Sequence, residues 1–181
     1  MTESPILTLA RAYHFAAAAH VNQRRKGVAA EPYMNHLTEV AELVARATRG
    51  TDPEIVVAAV LHDTVEDTQT TPADIAAEFG ERVAGLVAEV TDDTSLPKQT
   101  RKDLQVAHAA HASRGAQIIK LADKTSNLRS MAASPPAGWS DERRLAYVDW
   151  ARQVVEACRG ADPWLAGQFD LAAAVLRPTT V

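Results

Sequence analysis

The chain has 181 residues, 46% of them hydrophobic and only 5% aromatic, with a formal net charge of −4. That length suits a single domain, residues 1–181, with a real core, and an alanine-rich composition favours helices packed closely through small side chains. The acidic balance excludes a general nucleic-acid or membrane-surface role, and the lone cysteine, Cys158, excludes an internal disulfide and fits a reducing, cytoplasmic setting without a catalytic thiol or zinc ribbon.

Met1 to Ala10 lacks the basic start and long apolar core of a signal peptide, and no apolar run reaches the roughly 20 residues of a membrane span. The first predicted helix runs from about Pro5 to Val21. His14 and His20 on it read as packed or surface residues, not ligands. The segment Asn22 to Pro32 opens with Gln23-Arg24-Arg25-Lys26-Gly27. Its cations are either a solvated loop or a phosphate grip, in which Arg forks match phosphate oxygens and Lys supplies a point charge. Pro32-Tyr33 leads into a helix from about Met34 to Arg49, with His36 in its first turn and an apolar stripe of Val40, Leu43, Val44 and Ala47. His36 is either a helix-start oddity or a ligand.

Proline at the first helical position marks three helix starts, Asp52-Pro53, Thr71-Pro72 and Asp162-Pro163, and Gly50, Gly80 and Gly160 punctuate helix ends. The helix from Pro53 is expected to reach about Val65. Pro72 to Phe79 and Glu81 to Val90 read as two amphipathic helices split at Gly80. Thr91 to Lys98 is a polar loop in which Asp92 and Asp93 are turn formers and caps in preference to a second metal site. A helix over about Thr100 to Ala112 carries His108 and His111, which lack a suitably placed acid and read as surface residues. After Gly115 a helix carries Ile118, Ile119, Leu121 and Ala122 as core, then Asp123, with Asn127 one turn on; Pro135-Pro136 ends it. A last hairpin, about Ser140 to Arg159 and Pro163 to Leu176, covers the core and places Arg143 and Tyr147 on one face. Pro178 to Val181 is a loose tail. No alternating strand pattern, internal repeat or exposed apolar seam is readable, so the fold is all-α, a bundle of roughly eight to ten helices.

The stretch Leu61-His62-Asp63-Thr64-Val65-Glu66-Asp67 organises the rest. A wholly apolar lead-in, Ile55 to Leu61, ends in a histidine and three carboxylates, whose desolvation costs several kcal/mol unless they are paired or bind a cation. On a helix His62 and Glu66, and Asp63 and Asp67, lie at i and i+4 on neighbouring strips. His36, His62, Asp63 and Asp123, carried on separate helices, together suit a borderline divalent cation such as manganese, iron or zinc, with positions open to water and a substrate oxygen. Glu66 and Asp67 then manage protons or orient the attacking water.

These four residues resemble the H…HD…D signature of the HD superfamily of phosphohydrolases. The blocks Gln23-Arg24-Arg25-Lys26, Pro32-Tyr33-Met34-Asn35-His36, His62 to Thr68, Thr91-Asp92-Asp93 through Lys98, Lys120-Leu121-Ala122-Asp123-Lys124 with Asn127-Leu128, and Gly138-Trp139-Ser140 resemble, in this order, the hydrolase domain of the Rel/Spo alarmone enzymes, and most of all its stand-alone small hydrolases and metazoan relatives. The resemblance covers about residues 5–176. It implies hydrolysis of guanosine tetra- and pentaphosphate (ppGpp, pppGpp) at the 3′ position, releasing pyrophosphate and GDP or GTP. It implies Mn2+ on His36, His62, Asp63 and Asp123, catalytic acids at Glu66 and Asp67, and substrate contacts at Arg25, Lys26, Asn127, Lys98, Arg143 and Tyr147. Ser126 departs from the pattern, since relatives often carry tyrosine there. The alternatives are an NADPH 2′-phosphatase or another HD nucleotide phosphohydrolase, and a degenerate domain that only binds a nucleotide. The implied partner is a small nucleotide, neither nucleic acid nor membrane, and homo-oligomers are compatible with it.

Overall fold

A computed structural model describes residues 3–177, and the expected tail, Pro178 to Val181, lies outside them. The described residues form helices α1 (Pro5–Ala19), α2 (Met34–Ala47), α3 (Pro53–Leu61), α4 (Thr64–Asp67), α5 (Pro72–Phe79), α6 (Glu81–Val90), α7 (Lys98–Ala109), α8 (Arg114–Ala133), α9 (Asp141–Cys158) and α10 (Pro163–Val175), with a 3-10 turn at Arg159–Ala161. Among them there is no strand; Arg24 with Pro32 and Gly27 with Pro136 form isolated bridges. The expected all-α architecture is what the chain adopts.

Every residue of α3 from Ile55 to Leu61 is buried, because α1, α2, α6 and α8 pack around it. The second spine is α8, which touches α2, α3, α6, α9 and α10. Leu37, Val40 and Val44 of α2 meet Leu61 of α3 and Ile119, Leu121 and Leu128 of α8 in one core, all fully buried. Each such side chain contributes about 1.5–3 kcal/mol relative to exposure. The three helices that carry the candidate ligands are therefore packed on one another, which fixes those ligands relative to each other.

The three Pro-started helices hold as expected. Asp52 caps α3 through the Ile55 amide, Asp162 caps α10 through the Leu165 amide at 2.8 Å, and Thr71 and Asp74 form a capping box on α5. Two boundaries differ from expectation. Helix α7 begins at Lys98 directly after Pro97 and ends at Ala109, earlier at both ends than the predicted span. The helix from Pro53 stops at Leu61 instead of running to Val65, and Asp63, with φ −98° and ψ −2°, separates it from the short α4. An exposed apolar seam, unread in the sequence, also runs along α10: Trp164, Leu171 and Val175 stand at i, i+7 and i+11 and are 42%, 65% and 72% exposed.

Leu61 is fully buried at the end of α3. Leu61→Ala is expected to cost about 2–5 kcal/mol, seen as a lower urea midpoint at nearly constant m-value.

Candidate active site

Three elements converge on one point. His36 comes from the first turn of α2, His62 and Asp63 from the break between α3 and α4, and Asp123 from the middle of α8. Consecutive residues on a regular helix point about 100° apart, yet His62 Nε2 and Asp63 Oδ2 lie 3.1 Å from each other. The break at Asp63 is what turns both side chains to the same centre. His36 Nε2 is 3.5 Å from Asp63 Oδ2 and 3.3 Å from Asp123 Oδ1, and His62 Nε2 is 4.0 Å from Asp123 Oδ1. Among the described residues, His36, His62 and Asp123 each bring a ligand atom within 4.8 Å of the others. Asp63 stands beside that trio against both imidazoles, and the Tyr33 hydroxyl donates to its Oδ2 at 2.6 Å. Both Nε2 atoms are buried and have no hydrogen-bond partner. Nitrogens in that state, facing carboxylates, fit a cation and fit little else.

In the metal-free protein the cluster holds itself together by charge. Burial alone would lower the His62 imidazole, but Asp63, then Asp123, outweigh it and push it up to about 9. Burial would raise Asp63, and the His62 and His36 imidazoles instead hold it well below the ordinary carboxylate range. Asp123 is likewise held low against burial, first by the Lys124 ammonium 2.8 Å away and then by the two imidazoles.

Glu66 and Asp67 of α4 diverge. Glu66 accepts the Asp92 amide at 2.9 Å and faces Arg101 at 3.7 Å. Burial, with Asp63, Asp92 and Asp67 adding to it against the Asp92 amide, raises Glu66 to about 7. Asp67 turns the other way and accepts from Gln23 Nε2 at 2.8 Å.

The histidine–carboxylate cluster borders a polar recess of about 130 Å3, which shares Tyr33, Glu66, Gln105 and Asn127 with a larger cavity of about 540 Å3. Seven cations line the larger cavity, Arg24, Arg25, Lys26, Lys98, Arg101, Lys102 and Arg143, against the three carboxylates of Glu66, Asp67 and Asp92. An acidic chain thus gathers positive charge at one opening, the field that a polyanionic ligand needs.

Residues 12–148 match the HD domain family. The chain belongs to that family. It is 46% identical over 159 residues to MESH1 of Xenopus tropicalis, named a guanosine-3′,5′-bis(diphosphate) 3′-pyrophosphohydrolase, across 88% of this chain and 89% of the relative. To the Homo sapiens protein of the same name it is 47% identical over 154 residues, across 85% and 86%. The solved structure of a metazoan SpoT orthologue, described as hydrolysing ppGpp, aligns with a TM-score of 0.89 at 42% identity over 95% of this chain and 96% of that one.

The HD domain brings all the sequence-picked residues to this one place. Arg25, Lys26, Lys98, Asn127, Arg143 and Tyr147 line the larger cavity together with Glu66 and Asp67. Arg25 Nη2 donates to Asn127 Oδ1 at 2.9 Å, and Asn127 donates in turn to Asp123, so the 23–27 loop and α8 are directly joined. Backbone contacts reinforce the joint: Ala137 N donates to Lys26 O at 3.2 Å and Val28 N to Pro135 O at 3.3 Å. Gly27 packs so closely that a Cβ there would lie 2.5 Å from Ser134 O. His14, His108 and His111 are exposed, and His20 is buried against Tyr33, their rings stacked with centroids 5.3 Å apart.

On the α7–α9 wall of the HD domain's cavity, sequence reasoning picked Lys98, Arg143 and Tyr147 and missed the residues between them. Asp93 forms the expected turn with Ser95, but Asp92 belongs to the site, its Oδ2 accepting from Gln105 at 2.6 Å. Lys102 and Lys124 stand over Trp150 at 4.6 and 4.7 Å, and Arg143 over Trp139 at 4.3 Å. The signal was present in the spacing of Lys98, Arg101, Lys102 and Gln105, a polar i, i+3, i+4, i+7 face, and was hidden by starting α7 two residues late.

A dication must displace the proton that His62 carries at neutral pH. Binding of a divalent cation to chelator-treated protein is therefore expected to release about one proton and to tighten as pH rises towards about 9, checked by calorimetry in buffers of different ionisation enthalpy.

Proposed function

We propose that this HD domain is a metal-dependent guanosine-3′,5′-bis(diphosphate) 3′-pyrophosphohydrolase acting on ppGpp and pppGpp, with Mn2+ as its ion. The observation that carries this is that the imidazole–carboxylate recess shares Tyr33, Glu66, Gln105 and Asn127 with a cavity lined by seven cations. Relatives at 46% and 47% identity across nearly their full lengths bear the same activity in their names.

His36, His62, Asp63 and Asp123 would hold the ion, which when bound supplies a more acidic water and screens phosphate charge. Arg25 and Lys26 on one wall, with Lys98 and Arg143 on the other, hold phosphate oxygens, Arg through two-pronged hydrogen bonds and Lys as point charges. Asn127, already tied to Asp123 and Arg25, orients the nucleotide next to the ligands. Tyr147 closes the aromatic side of the cavity, with ring centroids 5.9 Å from Trp139 and 5.3 Å from Trp150. Glu66 is the general base. It takes the proton of a water whose oxygen bonds to the phosphorus on the 3′ oxygen; the P–O3′ bond breaks, the 3′ oxygen is protonated, and pyrophosphate leaves beside GDP or GTP. Asp67, held by Gln23, orients that water from the opposite side. The buried thiol of Cys158 suits a cytoplasmic enzyme, and no described helix is long and apolar enough to cross a membrane.

Mn2+-loaded protein is expected to release one pyrophosphate and one GDP per ppGpp consumed, and His62→Ala or Asp63→Ala to abolish turnover with the far-UV circular dichroism unchanged. Intact ppGpp alongside orthophosphate release from NADPH would replace the substrate assignment with a 2′-phosphatase.

A base must be ionised, so the rate rises with pH through the Glu66 titration. That group sits at about 7 without metal, and positive charge at the imidazole pair draws it down, so the acid limb at saturating Mn2+ falls below about 7. Glu66→Gln is expected to remove that limb and to lower kcat by about 10²–10⁴-fold, measured by pyrophosphate release across pH 5–9.

A further inference from the structure

The two candidate imidazole ligands present Nε2 to the same point but are held by different means. His62 Nδ1 donates to the backbone oxygen of Ala59 at 2.9 Å, one turn back along α3. His36 Nδ1 has no such carbonyl. It lies 2.9 Å from the hydroxyl oxygen of Ser126, a residue of α8 that is only 1% exposed. The same hydroxyl lies 2.7 Å from Glu39 Oε2, on α2 one turn after His36. Glu39 is held in its turn: Arg129 Nη1 pairs with Oε1 at 3.2 Å, and Arg129 Nη2 donates to Gln168 of α10 at 2.8 Å.

The chemistry of the donors fixes the direction of this chain. A carboxylate only accepts, so the Ser126 O–H is given to Glu39. The Ser126 oxygen is then left with lone pairs alone for His36, so His36 Nδ1 must be the N–H. The remaining lone pair of the ring is on Nε2, the buried atom without a partner that faces Asp63 and Asp123. Ligand histidines generally need an acceptor on their second nitrogen to set tautomer and ring angle and to raise basicity.

We propose that Ser126 and Glu39 are positioning residues that hold His36 ready to ligate a dication, with Arg129 holding Glu39 in place. Neither residue lines the recess or the large cavity. Both instead border, with His36, an opening of about 240 Å3 that shares Arg25 and Ser130 with the large cavity. The proposal rests on the reading that His36 and His62 share an ion, and it extends that reading from the ligands to the group that aims one of them.

The test is Mn2+ titration calorimetry on chelator-treated full-length protein, with the thermal midpoint of each metal-free variant as the check on folding. Ser126→Ala and Glu39→Ala are each expected to weaken Mn2+ binding by about 10–100-fold while the metal-free protein stays folded. Glu39→Gln keeps an oxygen for Ser126 without the charge, and is expected to fall between wild type and Glu39→Ala. Glu42→Ala, which removes an exposed carboxylate from the same helix, should leave the affinity unchanged. Wild-type binding with Ser126→Ala and Glu39→Ala at the same affinity overturns the relay alone. A wild-type protein that binds no Mn2+ overturns the relay and the ion assignment together. A loss in Glu42→Ala equal to that in Glu39→Ala also overturns it, since the effect would then be one of net charge.

Discussion

Two imidazole nitrogens shut away from water without a hydrogen-bond partner set the terms for everything around them. Leaving a buried polar atom without a hydrogen bond costs about 1–3 kcal/mol, a cost that the facing carboxylates of Asp63 and Asp123 offset here by charge. The rest of the fold makes such an arrangement possible. The apolar run of α3, buried from Ile55 to Leu61, supplies the hydrophobic stabilisation nearest the cluster, and α2 and α8 pack on it. The carboxylates of Asp63 and Asp123 stay ionised because the imidazoles and Lys124 stand against them. Without a cation the cluster survives by protonating His62; with one, the proton is exchanged for a stronger charge in the same place.

Seven of the 19 lysines and arginines are gathered at one opening, while others, such as Arg46, Arg82 and Arg159, sit in exposed ion pairs. The chain is acidic overall, yet the 23–27 loop, α7 and the start of α9 turn their cations inward onto one opening. Arg24 also donates to the carbonyl oxygens of Val21 and Gln23, so part of the cationic run shapes the loop itself. On the other wall the ammonium groups of Lys102 and Lys124 both stand against the Trp150 ring, whose attraction offsets part of their mutual repulsion. The Lys102 ammonium is depressed there, first by burial and then by Lys98, Lys124 and Arg143.

Much of this was legible in the sequence, for physical reasons that can be named. Pro at the first helical position after Asp or Thr forced three helix starts, and an apolar run ending in His62-Asp63 has few uses other than a polar centre in a core. Asp123 repeated that logic on α8. What periodicity could not reveal was the break after Leu61, because His62 keeps helical angles and only Asp63 departs from them. The relay behind His36 was equally hidden. Ser126 and Glu39 are separated by 87 residues, and a serine in a buried helix face reads as small packing. Asp92 and Asp93 look alike in sequence, and only the folded chain puts Asp93 in a turn with Ser95 and Asp92 against Gln105 of α7. Asn127 and Arg25 were picked separately, and only the folded chain shows that they touch.

The seam between the 23–27 loop and the 134–137 segment has a consequence of another kind. Gly27 lies against the backbone of Ser134, and the two segments exchange hydrogen bonds through main-chain atoms on both sides of it. Ser134 follows directly on α8, the helix that carries Asp123 and Asn127. The spacing between loop and helix is thus gauged by backbone, like the jaws of a fixed caliper. A side chain added at Gly27 would therefore have to prise the loop away from the end of α8, and the whole cationic run would move with it.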